Sequence, residues 1–110
     1  MLKKSNRLSR TQFTEYFRSG KKYHYEHLTI IYTPTLSFAG AVVVSKKVSK
    51  SAVRRNTLKR RVFARLAHIQ TETRCTGVFI IILKPSFNLL TRSAADELVY
   101  KSIAALHKST

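Results

Sequence analysis

Arg55 and Lys59 stand four residues apart, as do Asn56 and Arg60, so on a helix the two pairs occupy adjoining strips of one face. The chemistry open to such a set is phosphate recognition. Guanidinium and ammonium groups donate to phosphate oxygens, and the Asn carboxamide both donates and accepts. The surrounding charge strengthens that reading. Nine Lys and Arg fall in one stretch, namely Lys46, Lys47, Lys50, Arg54, Arg55, Lys59, Arg60, Arg61 and Arg65, and no acid lies between Glu26 and Glu72. An ordinary solvated helix mixes signs so that i,i+4 pairs can form, and here there is no partner. Cations also crowd the start of the helix, where the macrodipole disfavours each of them by about a few tenths of a kcal/mol. A phosphate bound at that place reverses the penalty.

Composition narrows the alternatives. The chain has 110 residues, with 21 Lys and Arg against five acids and a formal charge of +16. Self-repulsion on that scale is tolerable when a polyanion screens it. The acids are Glu15, Glu26, Glu72, Asp96 and Glu97, too dispersed for paired-carboxylate catalysis. His24, His27, His68 and His107 are scattered as well, so neither an autonomous nuclease site nor a metal site is expected. Cys75 is alone, which excludes an internal disulfide and a zinc cluster and points to a reducing compartment. The basic N-terminus is not followed by an apolar stretch, so it is not read as a signal peptide. The longest apolar run, Val78 to Leu83, is far below the roughly 20 residues of a membrane span. The expectation is a cytoplasmic protein, monomeric on its own, with no membrane partner and no organic cofactor.

The elements that must position the basic residues are legible in outline. A capping box of Ser9 and Gln12 predicts a helix from about Thr11 to Ser19, stopped at Ser19-Gly20, with Phe13 and Phe17 on one face. Leu28, Ile30 and Tyr32 alternate with Thr29, Ile31 and Thr33 as a strand. A second strand, Phe38 to Ser45, reads as its hairpin partner. A long helix runs from Ser51 to about Ile69. Val78 to Leu83 is a strand buried on both faces and ended by Pro85. A last helix starts at Ser93, with Asp96 completing a second capping box and Leu98, Val99, Ile103 and Leu106 on one side. The order α-β-β-α-β-α predicts one α+β domain over residues 1–110, a small two-layer sandwich with a basic crossover helix.

The wheel of the long helix divides its cations. Leu58, Val62, Leu66 and Ile69 form a core stripe, and Arg55 and Lys59 share its sector. Arg54, Arg61 and Arg65 lie on the flank across the stripe. Because unpaired buried cations are costly, the first half of the helix is expected to leave the core and line an open groove.

These residues carry a resemblance to the bacterial ribonuclease P protein component. Ser45-Lys46-Lys47-Val48 followed by Ala52 through Arg60 is similar to the family's valine-rich strand ending in Ser-Lys-Lys and its helix with an Arg-Asn-Arg core. Leu2-Lys3-Lys4, Asn6-Arg7-Leu8, Phe13, Phe17 and Gly20-Lys21 match the family's opening, and Lys84-Pro85 and the final helix fit its close. The pattern departs at Thr57, the third position of the core, and at Phe63, where a later arginine is usual.

The resemblance implies the protein subunit of a ribonucleoprotein that removes the 5′ leader from precursor tRNA. It implies an RNA subunit that catalyses the cut with Mg²⁺ held mainly by RNA, and a protein that strengthens functional metal binding. It also implies a left-handed β-α-β crossover through the basic helix, against the general right-handed rule. Arg55, Asn56, Lys59 and Arg60, with Arg54 and Arg61 as extra cations, are assigned to the catalytic RNA. Phe13, Phe17, Tyr32, Lys46 and Lys47 are assigned to a cleft for the single-stranded leader, whose bases can stack on the rings. A ribosomal protein would share the size and charge without a reason for those aromatics. A major-groove DNA reader would need a turn-linked helix before the basic one, and none is predicted.

Overall fold

Gly77–Leu83 carries no polar side chain, and this strand takes an inner place in a four-stranded sheet. The computed structural model describes residues 7–108, so the Leu2-Lys3-Lys4 and Asn6 matches lie outside the described residues. The elements are α1 (Arg10–Ser19), β1 (Lys21–His24), β2 (Leu28–Thr33), β3 (Phe38–Val43), α2 (Ala52–Thr73), β4 (Gly77–Leu83), a 3-10 turn at Pro85–Leu89, and α3 (Arg92–Lys108). The sheet order is β1-β2-β4-β3, and the fold class is α+β as expected.

The expected hairpin between the second and third strands does not form. β4 lies between them, antiparallel to β2 (Ile30 opposite Ile81) and parallel to β3 (Val42 opposite Ile81). The physical reason is burial. The strand that is apolar on both faces takes the position where both faces and both edges are covered. β2 finds its antiparallel hairpin partner in β1 instead, with Tyr23 opposite Ile30, a strand that the polar sequence Lys21–His24 did not announce. The parallel β3–β4 pair is joined through α2, so the basic helix is the crossover element.

One face of the sheet, with Leu28, Ile30, Phe79 and Ile81, packs against Leu58, Val62, Leu66 and Ile69 of α2 and Val99, Ile103 and Leu106 of α3. Each fully buried Leu, Ile or Val there contributes roughly 1.5–3 kcal/mol of transfer free energy. Ile31, on the opposite face of β2, is also buried because α1 packs over that face. Gly20 permits this approach, since a Cβ there would come 2.5 Å from Ile31 Cγ2.

The helix ends follow their caps. Ser9 and Gln12 form the expected box on α1, with both reciprocal hydrogen bonds present. Ser51 Oγ accepts from the Arg54 N–H at 3.2 Å to start α2. α2 runs past Ile69 to Thr73, and Arg74 ends it in the left-handed region at φ 54°. In α3 the expected Ser93–Asp96 box is not used. Thr91 Oγ1 accepts from the Ala94 N–H at 3.2 Å, so the helix begins one residue earlier and Asp96 is left inside it.

Candidate nucleic-acid interface

β3 forms one edge of the sheet, and that edge is the floor of an open groove of about 550 Å³. Gly40 to Val44 and Phe63 line its base, Arg7 to Arg10 and Phe13 form one wall, and Arg55, Asn56 and Lys59 form the other. The N-terminal wall is held by backbone pairing, with the Leu8 N–H donating to the Gly40 carbonyl at 3.3 Å. Four cations line the groove, Arg7, Arg10, Arg55 and Lys59, and no carboxylate does. Their field adds in one concave space, which is the arrangement that concentrates a polyanion.

α2 presents its cations here for a local reason. Neither α1 nor α2 has an acid in its first turn, so nothing on either helix neutralises the groove from within. Arg55 is itself held in place, its Nη1 donating to the carbonyls of Ser49 at 2.9 Å and Lys50 at 3.0 Å. That guanidinium therefore fixes the β3–α2 connection while keeping further donors for a ligand. Lys59 is exposed and makes no ion pair among the described residues.

The structure sorts the residues picked out in the sequence. Phe13, Arg55, Asn56 and Lys59 come together in the groove. Phe17 continues the surface one turn along α1, its ring 5.6 Å from that of Phe13 and 38% exposed. Lys22, from β1, lies 5.5 Å over the Phe17 ring, a cation–π contact that adds an exposed ammonium to the track. Lys46 and Lys47 are exposed on the turn beyond β3, closed by the Val48 N–H to the Ser45 carbonyl, and do not line the groove itself. Arg60 is exposed beside the groove, its Nε 3.4 Å from the Asn56 carbonyl. Arg54 and Arg61 face α3 instead.

Tyr32 is a correction. It is 4% exposed, stacked on Phe79 at 4.8 Å, and it belongs to the core beneath α2 and α3. Consecutive strand residues point to opposite faces, so Tyr32 is turned away from α1 while Ile31 meets it. Its ring also requires Gly77, where φ is +110° and a Cβ would fall 2.6 Å from Tyr32 Cε1. Tyr32 cannot share a cleft with Phe13 and Phe17.

Sequence reasoning missed Arg7, Arg10 and Lys22 as site residues. Arg10 opens a first turn without acids and Arg7 lies two residues before the capping Ser9, a signal present in the sequence. Lys22 depended on a strand that the sequence did not reveal. Among the described residues, no three His, Cys, Asp or Glu side chains converge on a metal-sized space, and no helix is long and apolar enough to cross a membrane. Cys75 is buried, and burial pushes its thiol pKa up, against a weaker lowering by the Thr73 hydrogen bond, so it stays a neutral thiol.

Comparison with known proteins bears on the same arrangement. By backbone, the fold is similar to that of a Staphylococcus aureus RNase P protein mutant with defective mRNA degradation activity, with a TM-score of 0.81 over 96% of this chain and 90% of that one, at 17% identity. The Staphylococcus aureus RNase P protein itself gives a TM-score of 0.73 at 14% identity, covering 94% of this chain and 95% of that one. In sequence, the chain is 39% identical over 83 residues to the ribonuclease P protein component of Microcystis aeruginosa, covering 69% of this chain and 68% of that protein. The Ribonuclease P family model matches residues 2–108, a span that takes in the groove, the basic crossover helix and both packed faces of the sheet, and the chain therefore belongs to the ribonuclease P protein family.

Proposed function

We propose that this chain, as the protein subunit of ribonuclease P, holds the single-stranded 5′ leader of precursor tRNA along the β3 groove and docks on the catalytic RNA through the basic face of α2. The observation that carries this reading is the convergence of Phe13 with Arg7, Arg10, Arg55 and Lys59 on one concave, acid-free surface. A leader varies in sequence, so it has to be held by what every nucleotide shares. Phosphates meet the cations, and bases stack on Phe13 and Phe17 at roughly 1–3 kcal/mol per base. The Phe17 ring is backed by Phe13 and Lys22, so little side-chain freedom is lost when a base lands on it.

Chemistry at the scissile phosphate belongs, in this reading, to the RNA subunit and to Mg²⁺ held by RNA. The protein's part is positional. A leader fixed in the groove and an RNA held on α2 bring the substrate phosphate and the metal-binding RNA together, and the +16 charge lowers the repulsion between two RNAs. Lys46 and Lys47 extend the phosphate path from the end of β3, and Arg60 extends the docking face of α2.

The test is affinity for precursor tRNA as a function of leader length, in holoenzyme reconstituted with a cognate catalytic RNA. Phe17→Ala is expected to lose the leader-dependent gain while keeping affinity for mature tRNA. Arg60→Ala, on the docking face of α2 outside the groove, is expected to weaken assembly and to lower the salt-dependence slope by about 0.7–0.9 for the lost phosphate contact. A folded Phe17→Ala protein with the full leader-dependent gain overturns the groove assignment.

A further inference from the structure

On the far side of α2 from the groove, a second set of arginines lines one surface, and none of them forms an ion pair among the described residues. Arg54 and Arg61 of α2 and Arg92 of α3 surround a narrow crevice, and Arg92 also lines a wider one with Arg65 and Tyr100. The two crevices share Arg92 and Asp96, so they form one continuous surface along the α2–α3 seam. Among the described residues the ion pairs are His27–Glu26, His68–Glu72 and Lys101–Glu97, and none contains an arginine. Lys101 holds the Glu97 carboxylate at 2.8 Å and Arg54 Nε donates to Asn88 Oδ1 at 2.8 Å, so Asp96 is the carboxylate lining these crevices that no ion pair engages among the described residues.

Two features show that this is not an idle surface. Arg54 and Arg92 both sit in first turns, of α2 and α3, and neither turn contains an acid. Two first-turn arginines thus line one crevice with no acid in either turn, an arrangement that a bound anion would favour. Arg65 is the second feature. Its guanidinium carbon lies 5.4 Å over the Tyr100 ring, and its buried Nε has no hydrogen-bond partner among the described residues. Stacking, rather than a protein acceptor, holds this cation in position, the arrangement used to present a planar guanidinium to phosphate.

We infer that the α2–α3 seam, through Arg54, Arg61, Arg65 and Arg92, is a second RNA-backbone site that grips a structured RNA segment distinct from the strand in the β3 groove. The inference rests on the RNA-binding function proposed above. It adds that α2 is held by RNA on both flanks at once. Regularly spaced phosphates of a duplex suit a row of arginines at i, i+7 and i+11 better than a flexible strand does, because the row has no ring exposed for base stacking apart from the one already covered by Arg65.

The experiment uses the full chain and two labelled probes, a 12-nucleotide single-stranded RNA and a 20-base-pair RNA hairpin, with binding read by fluorescence anisotropy over a salt series. Wild type is expected to bind the hairpin nearly unchanged when the unlabelled single strand is saturating. Arg61→Ala/Arg92→Ala, at half-buried and exposed positions, should lose about tenfold in hairpin affinity and about 1.5–2 in salt slope, with single-strand affinity unchanged. Arg61→Lys/Arg92→Lys should recover most of the hairpin affinity, since the charge is kept. Mutual displacement of the two probes, or a double variant with wild-type hairpin binding and slope, overturns the inference. A wild type that binds the strand but not the hairpin overturns this inference alone. Binding of neither probe overturns the proposed function as well.

Discussion

The two flanks of α2 carry similar charge and use it differently. On the groove flank, Arg55 ties down the β3–α2 connection through two carbonyls, Lys59 is exposed, and an aromatic wall stands opposite. On the seam flank, Arg54 donates to Asn88 Oδ1 at 2.8 Å, and Asn88 in turn donates to the Val48 carbonyl at 3.2 Å. Arg61 makes no ion pair there, and Arg65 is stacked on Tyr100. Each flank therefore pairs an anchoring arginine near the helix start with cations that no acid neutralises further along. The anchors shape the surface while keeping further N–H donors, and the others make no ion pair among the described residues. Charge counting alone does not distinguish these roles, but hydrogen-bond partners do.

The largest expected effect tests the same division among aromatics. Tyr32→Ala removes a buried ring stacked on Phe79 and should cost about 3–5 kcal/mol in chemical denaturation. Phe17→Ala, at an exposed ring, should cost well under about 1 kcal/mol while reducing leader affinity. Equal stability losses would show that both rings serve the core.

Next come the anchors of the two flanks. Arg55→Ala leaves the Ser49 and Lys50 carbonyls without their charged donor and should cost about 1–2 kcal/mol of stability, whereas Lys59→Ala should stay within about 0.5 kcal/mol. Thermal melts of the two single variants decide this. A Lys59 variant as unstable as the Arg55 variant would break the distinction.

Arg54→Ala against Arg61→Ala is the corresponding pair on the seam. The first should lose about 1 kcal/mol, because Asn88 loses its partner and the 3-10 turn loosens from α2. The second should be nearly silent in stability. Faster amide exchange around Asn88 in the Arg54 variant alone is the accompanying sign.

The smallest effect lies beyond the packed end of α2. Burial raises the Cys75 pKa above its unfolded value, so its contribution is fully present below the unfolded thiol pKa. As pH rises through the interval up to the folded pKa, the unfolded state ionises first and stability declines. Cys75→Ala should remove that alkaline component from a pH series of denaturant midpoints. Thiol reagents should label native protein slowly. Fast labelling would show that this end of the helix opens.

Sequence alone determined much of this protein because its strongest signals are local. The α1 capping box, the start of α2 at Ser51 and the buried character of Val78 to Leu83 depend on a few neighbouring residues and their hydrogen bonds or hydropathy. The split of α2 into two cationic flanks follows from helical pitch. Tertiary structure decided what depended on partners distant in sequence. The place of β4 between β2 and β3 was set by burial of both its faces, and β1 exists as a strand through its pairing with β2 rather than through its own polar sequence. Tyr32 went to the core because the parity of β2 was settled by which face α1 covers, a choice that periodicity leaves open. The meeting of Arg7 and Arg10 with Arg55 and Lys59 likewise required the N-terminal segment to lie along β3. Helical and strand periods assign residues to faces, but only packing decides which faces meet.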